Sequence, residues 1–194
     1  MKNQSFQEVL GQLSGMQRGN GVAVIGINGI NKKVRRRILY AAGITGSSDI
    51  TSDGQFIQAS TNPEIGRTNI DKGNQLNDGR SFIVTGVRML FDTTTASVTK
   101  LTATYKDEAP IAYKNGELKI NQDGSGDLFL NPISAFVKNN GALSSDEEFS
   151  PVVPFLLRSG TPFTIQALTA GSATAGQAVR IEIDGYELVD ADRA

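Results

Sequence analysis

The chain of 194 residues contains no histidine, no cysteine and no tryptophan, and its formal net charge is −1. Losing His and Cys together removes the side chain that titrates near neutral pH, the thiolate nucleophile, the disulfide and the commonest transition-metal ligands; a conventional catalytic triad and a stapled scaffold are excluded. Apolar residues at 39%, charged residues at 20% and 21 glycines describe a globular chain of short strands and turns, with no apolar window near the ~18 residues of a membrane span.

Charge is unevenly spread. Residues 1–40 carry Lys2, Arg18, Lys32, Lys33, Arg35, Arg36 and Arg37 against Glu8 alone, whereas residues 41–194 carry 12 basic and 19 acidic residues. A basic head on an acidic body predicts a polar particle with one end facing something anionic. Residues 1–16 lack the compact apolar core of a secretion signal. With the absent cysteines, that points to folding in a cytoplasm.

In chain order, residues 4–17 place Phe6, Val9, Leu10, Leu13 and Met16 at helical spacing, one apolar stripe weakened by Gly11 and Gly15. Such a helix is marginal alone and needs a surface, on its own domain or on another subunit. Residues 21–30 read as a short buried strand running into a glycine turn. The following NKKVRRRILYAAG reads as helix by propensity, closed by Gly43 as its C-cap. Residues 1–43 therefore form a basic, partly helical N-terminal arm, and residues 44–79 a polar extended loop with one short strand at Gln55–Ala59.

From Arg80 the pattern becomes a run of strands. Arg80–Asp92 is apolar in both registers, with Phe82, Val84, Gly86, Arg88 and Leu90 on one face. Val98–Tyr105 alternates. Asn115-Gly116 and Asp123–Gly126 read as hairpin turns around Glu117–Gln122, followed by Asp127–Phe136. Two prolines make Phe149–Arg158 an edge or irregular strand. Phe163–Thr169 and Gln177–Val189 complete the set. About seven strands with no helix between them predict an antiparallel sandwich or barrel over residues 80–194.

The local motifs weigh against most chemistry. Val22–Ile38 opens like a dinucleotide-binding unit, but the fingerprint's second glycine is Asn28. Gly26 and Gly29 have the spacing of a phosphate-clamping KH loop without its basic residues between them. Asp123, Ser125 and Asp127 have alternating calcium-loop spacing without the later bidentate glutamate. The carboxylates Asp107-Glu108, Asp146–Glu148 and Asp190 with Asp192 sit in turns or the tail, with nothing to set two of them across a cleft. No enzyme activity, metal or cofactor is expected. The basic run Lys32, Lys33, Arg35, Arg36 and Arg37 is the candidate site, a salt-dependent contact to nucleic acid or anionic lipid.

The strings RSFIVTGVRMLFD, KNGELKINQDGSGDLFLNPISAF, FSPVVPFLLRSGTPFTIQALT and QAVRIEIDGYELV cover somewhat over half the chain. Together this stretch resembles the single jelly-roll capsid proteins of tailless icosahedral bacteriophages. The resemblance implies an all-β, jelly-roll-like β-sandwich with a partly helical arm, acting as a virion structural protein such as a vertex (penton) or minor capsid subunit. Its implied partners are copies of itself, in a ring such as a pentamer, other capsid subunits, and genome or membrane met through the basic arm; no small-molecule substrate is implied. Its implied location is the virion, assembled in a host cytoplasm. The alternative is a non-catalytic binding module of receptor-binding or carbohydrate-binding type, in a tail or spike.

Overall fold

The computed structural model describes residue 11, residues 23–27, 30–94, 98–137 and 149–190. Two antiparallel sheets face each other across one core. The larger has the order β1 (Ala23–Ile27), β2 (Ile30–Ile44), β8 (Ala178–Asp190), β3 (Arg80–Asp92), β6 (Ser150–Leu157). The smaller has the order β5 (Gly126–Pro132), β4 (Glu117–Gln122), β7 (Phe163–Leu168). One helical turn, α1 (Ile111–Lys114), precedes β4.

The core is filled from both sides. The large sheet supplies Leu39, Ala41, Phe82, Val84, Val87, Met89, Phe91, Val179, Ile181 and Ile183, and the small one Leu118, Ile120, Phe129, Phe163, Ile165 and Ala167. Period-2 alternation along β4 and β7 places these residues inward and their polar neighbours outward. Burying such side chains is the main favourable term, at ~1.5–3 kcal/mol for each large aliphatic or aromatic group.

Residues 31–43, expected as helix, form most of a 15-residue strand. β2 pairs with β8 along thirteen positions, Lys32 with Asp190 through Ile44 with Ala178. Helix propensity is a weak preference, and here the ladder overrides it. Cations on β2 meet carboxylates on β8, and Leu39 and Ala41 alternate into the core. Gly43 is consequently a strand residue, not a helix cap. β1 and β2 both belong to the large sheet, so residues 23–27 and 30–44 are not a separate arm. The expected helix over 4–17 lies outside the described residues except for Gly11.

The polar segment 44–79 contains turns and isolated bridges, yet it is anchored. Its apolar residues Ile50, Phe56, Ile57, Ile70 and Leu76 enter the core. The strand expected at Gln55–Ala59 shrinks to a bridge between Gln55 and Gln166 of β7. Phe56 N–H donates to Ile165 O at 3.0 Å and Ala167 N–H to Gly54 O at 3.0 Å. Farther along, Thr68 bridges Ala41 on β2 beyond the end of β1.

Three further expectations change. Val98–Tyr105 is not a strand but turns and irregular chain; only the next residue, Lys106, bridges back, to Phe91 at the end of β3 beyond β6. Asn115-Gly116 ends α1 instead of turning a hairpin. Along β3 a bulge between Val84 and Gly86 inserts Thr85, so the core face runs Phe82, Val84, Val87, Met89, Phe91 while Arg88 and Leu90 point away. One extra residue exchanges the two faces beyond it.

A buried amide joins the two sheets. The Gln122 side chain is fully buried; its Nε2 donates to Arg158 O and Thr161 O, each at 3.2 Å, and its Oε1 accepts Arg158 N–H at 3.0 Å. Gln122→Leu strips partners from three backbone groups and should cost about 2 kcal/mol, a fall in Tm of about 4–8 °C. Differential scanning calorimetry measures it, and an unchanged Tm would show that the amide ties nothing.

Candidate functional site

Strand alternation divides the basic run between two faces of the large sheet. Lys32 and Arg36 fall on the outer face. Lys33, Arg35 and Arg37 continue the face that carries Leu39 and Ala41 into the core.

The outer pair is neutralised one for one. Lys32 pairs with Asp190. Arg36 grips Asp184 through two donors, Nε at 2.9 Å and Nη2 at 2.5 Å. This fork, outweighing burial, raises the Arg36 pKa above its already high ordinary value. Arg36 is a permanent cation with a dedicated carboxylate.

The inner face gathers more charge. Glu187, with its side chain only 3% exposed, takes Arg35 through Nε and Arg37 through Nη1 at 2.5 Å. Arg80, from the start of β3, approaches Glu187 at 3.8 Å and pairs with Asp71 at 3.1 Å, while Arg37 stands 4.0 Å from Asp71. Arg37 also donates to Asn69 O at 2.9 Å. Lys33, half-buried, lies in none of the ion pairs among the described residues. Burial pushes the Glu187 carboxyl up, but hydrogen bonds and charge from Arg35 and Arg37 prevail and hold it below the ordinary glutamate value.

A second charged group occupies the outer face at the other end of β8. Arg180 stacks on Tyr40 at 4.2 Å and lies 5.7 Å from Tyr105, and Glu182 takes both Arg180 and Arg88 at 2.6 Å. Burial pushes the Tyr105 phenol up to about 12 despite the adjacent Arg180. Tyr105 therefore stays protonated at neutral pH and is no general base.

The remaining candidates disperse. Asp107 is buried and Glu108 exposed; Asp146–Glu148 and Asp192 lie outside the described residues. Asp123 and Ser125 lie in the turn between β4 and β5, and Asp127 lies in β5, where it takes Asn121 at 2.9 Å and Lys119 at 3.0 Å. No group of three or more His, Cys, Asp or Glu side chains among the described residues could hold a metal. Val22–Ile38 contains a β1–β2 hairpin in which Ile27 pairs with Ile30. The helix that dinucleotide or KH binding needs does not follow it.

One cleft of about 590 Å³ opens where the loops after β2 and after β7 meet α1. Thr45, Thr51, Asp53, Thr169 and Ser172 line it, with Tyr113 beneath, bonded to Thr45 at 2.9 Å. Loop cooperation of this kind leaves no local signal in sequence. The acids of β8 did leave one: Glu182, Asp184, Glu187 and Asp190 recur within a single strand, but only a strand reading of residues 30–44 sets them opposite the cations.

Comparison with protein-family models, with curated proteins and with solved structures finds no match for this chain.

Proposed function

We propose that this chain is a capsid subunit with a jelly-roll fold, a virion structural protein that works by self-assembly. The observation that carries this reading is nested strand pairing. β2 pairs with β8, the bridge at Gln55 joins β7, β3 pairs with β6 and β4 pairs with β5. Beyond the β1–β2 hairpin, the first of these segments goes with the last, and each later pair lies inside the one before. A long antiparallel hairpin rolled into two facing sheets would give this order, and a jelly roll whose second strand is reduced to the Gln55 bridge fits it. Jelly rolls serve as capsid, lectin and cupin domains. Cupin-type metal chemistry draws on histidine ligands, which this chain lacks. Sugar-binding sandwiches stack ligands on aromatic rings, and the chain has no Trp and only four Tyr. Assembly remains, with a vertex or minor shell position suited to a single roll.

Light scattering coupled to size exclusion, at low and high salt, tests the proposal. A ring such as a pentamer, or larger particles, is the expected result. A clean monomer at both salts would overturn it.

The second reading, a binding module, is favoured by the hydroxyl-rich loop cleft. Saccharide titrations that shift NMR resonances of Thr51, Asp53, Thr169 and Ser172, in a monomeric protein, would establish it in place of the first.

A further inference from the structure

We propose that the inner rim of the large sheet, where Lys33 and Arg35 reach solvent above Arg37 and Arg80, is a binding site for the phosphate backbone of a single-stranded nucleic acid. The first argument is charge. Lys32 and Arg36 each own a carboxylate on the outer face. On the inner face, among the described residues, Lys33, Arg35, Arg37 and Arg80 share Glu187 and Asp71. Four cations against two carboxylates leave a surplus of two positive charges in this described cluster.

The second argument is donors. Glu187 takes the Nε of Arg35, whose side chain is 52% exposed, and among the described residues no bond engages the two terminal nitrogens of that fork. A guanidinium held by one carboxylate and open on its far side is a preorganised phosphate donor. Lys33 lies one alternation along the strand, about 7 Å away at 3.3–3.4 Å per residue. Two cations in line along an extended strand suit successive charges of a polyanion.

The third argument is shape. Arg37 and Arg80 are recessed, with side chains 22% and 33% exposed. A protruding phosphate can enter their field, whereas a flat bilayer surface meets cations best when they project beside apolar anchors. The exposed apolar residue of this part of β2, Ile38, lies on the opposite face.

The proposal rests on the capsid reading only for the identity of the polymer as packaged genome. It can fail independently, because binding is measured whatever the mass of the particle. The probe is a short mixed-sequence single-stranded DNA, followed by fluorescence anisotropy between about 50 and 200 mM salt. For a single strand the log–log salt slope should fall by about 0.7 for each cation removed, once in Lys33→Gln and twice in Lys33→Gln with Arg35→Gln. A control pair, Lys106→Gln with Lys114→Gln, removes the same charge elsewhere and should leave the slope unchanged.

Lys33→Gln breaks no ion pair among the described residues, so its effect is read on a folded protein even if the double variant is destabilised. An unchanged slope in Lys33→Gln, or an equal fall in the control pair, overturns the site. Binding of phosphatidylserine vesicles, lost in the same variants while DNA binding is unaffected, would also overturn it in favour of a membrane.

Discussion

Gly185→Ala should cost at least about 3 kcal/mol and leave little folded protein at 37 °C. Gly185 lies at the centre of the large sheet, opposite Arg37 on β2 and Val84 on β3. A Cβ built there would stand 1.9 Å from the carbonyl oxygen of Ile83 and 2.7 Å from Cε1 of Phe82. The aromatic carbon could swing aside; the carbonyl could not. Ile83 is locked between β8 and β6, paired with Tyr186 on one side and Leu156 on the other. Moving it breaks ladder hydrogen bonds on both sides of β3. The bulge at Thr85 sits beside this contact, so close approach of backbones and change of register occur together, as bulges and strand glycines commonly do.

A comparison variant separates crowding from loss of glycine. In Gly86→Ala the new Cβ would lie 3.0 Å from Cβ of Phe149, a side chain at the edge of β6. It should cost only about 1 kcal/mol. Urea unfolding of both variants decides the matter: equal, small losses would show that β3 can shift and that the crowding is relieved cheaply.

Why the strands after Arg80 were legible while β2 was not is a matter of period and partner. β4 and β7 sit at one sheet with a wet outer face, so Glu117, Lys119 and Asn121 alternate with Leu118, Ile120 and Gln122, and the pattern declares itself. β2 is a middle strand whose outer and inner faces both carry cations, so alternation is hidden under charge. Lys and Arg are good helix formers, and a run of them reads as helix until β8 is known to lie alongside. That knowledge is separated from β2 by more than a hundred residues. Val98–Tyr105 fails the opposite way: its Thr-rich alternation is strand-like, but the segment folds into turns and bridges to the sheet through the next residue, Lys106, at Phe91. The bulge at Thr85 and the anchoring of Phe56 against Ile165 are likewise tertiary facts with no local signature.

The candidate site follows the same logic. The five cations were visible, but their meaning depended on which face each occupied. On a helix they would form one broad basic surface. On a strand they separate into a neutralised pair and a surplus, and the surplus includes Arg80, forty-three positions after Arg37.

Glu187→Gln should destabilise the protein by about 3 kcal/mol at neutral pH, the lower end for removing one partner from a buried charge network. The reason is asymmetry. Arg35, Arg37 and Arg80 converge on this carboxylate, and its loss leaves three guanidiniums facing one another with Asp71 alone between them. Arg35 reaches water and can relax, so the full penalty of a sealed pair does not apply. The pH dependence follows from the direction of the shift. Because Glu187 titrates lower in the folded chain than in the unfolded one, the unfolded state binds the proton more readily. Its stabilisation is therefore complete above the unfolded value of about 4.3 and declines as the pH falls through the lower folded value. Urea unfolding at pH 7 and below pH 4 should show the wild type losing stability on acidification and the variant losing less. If the two lose stability in parallel, Glu187 is a spectator at the head of the sheet.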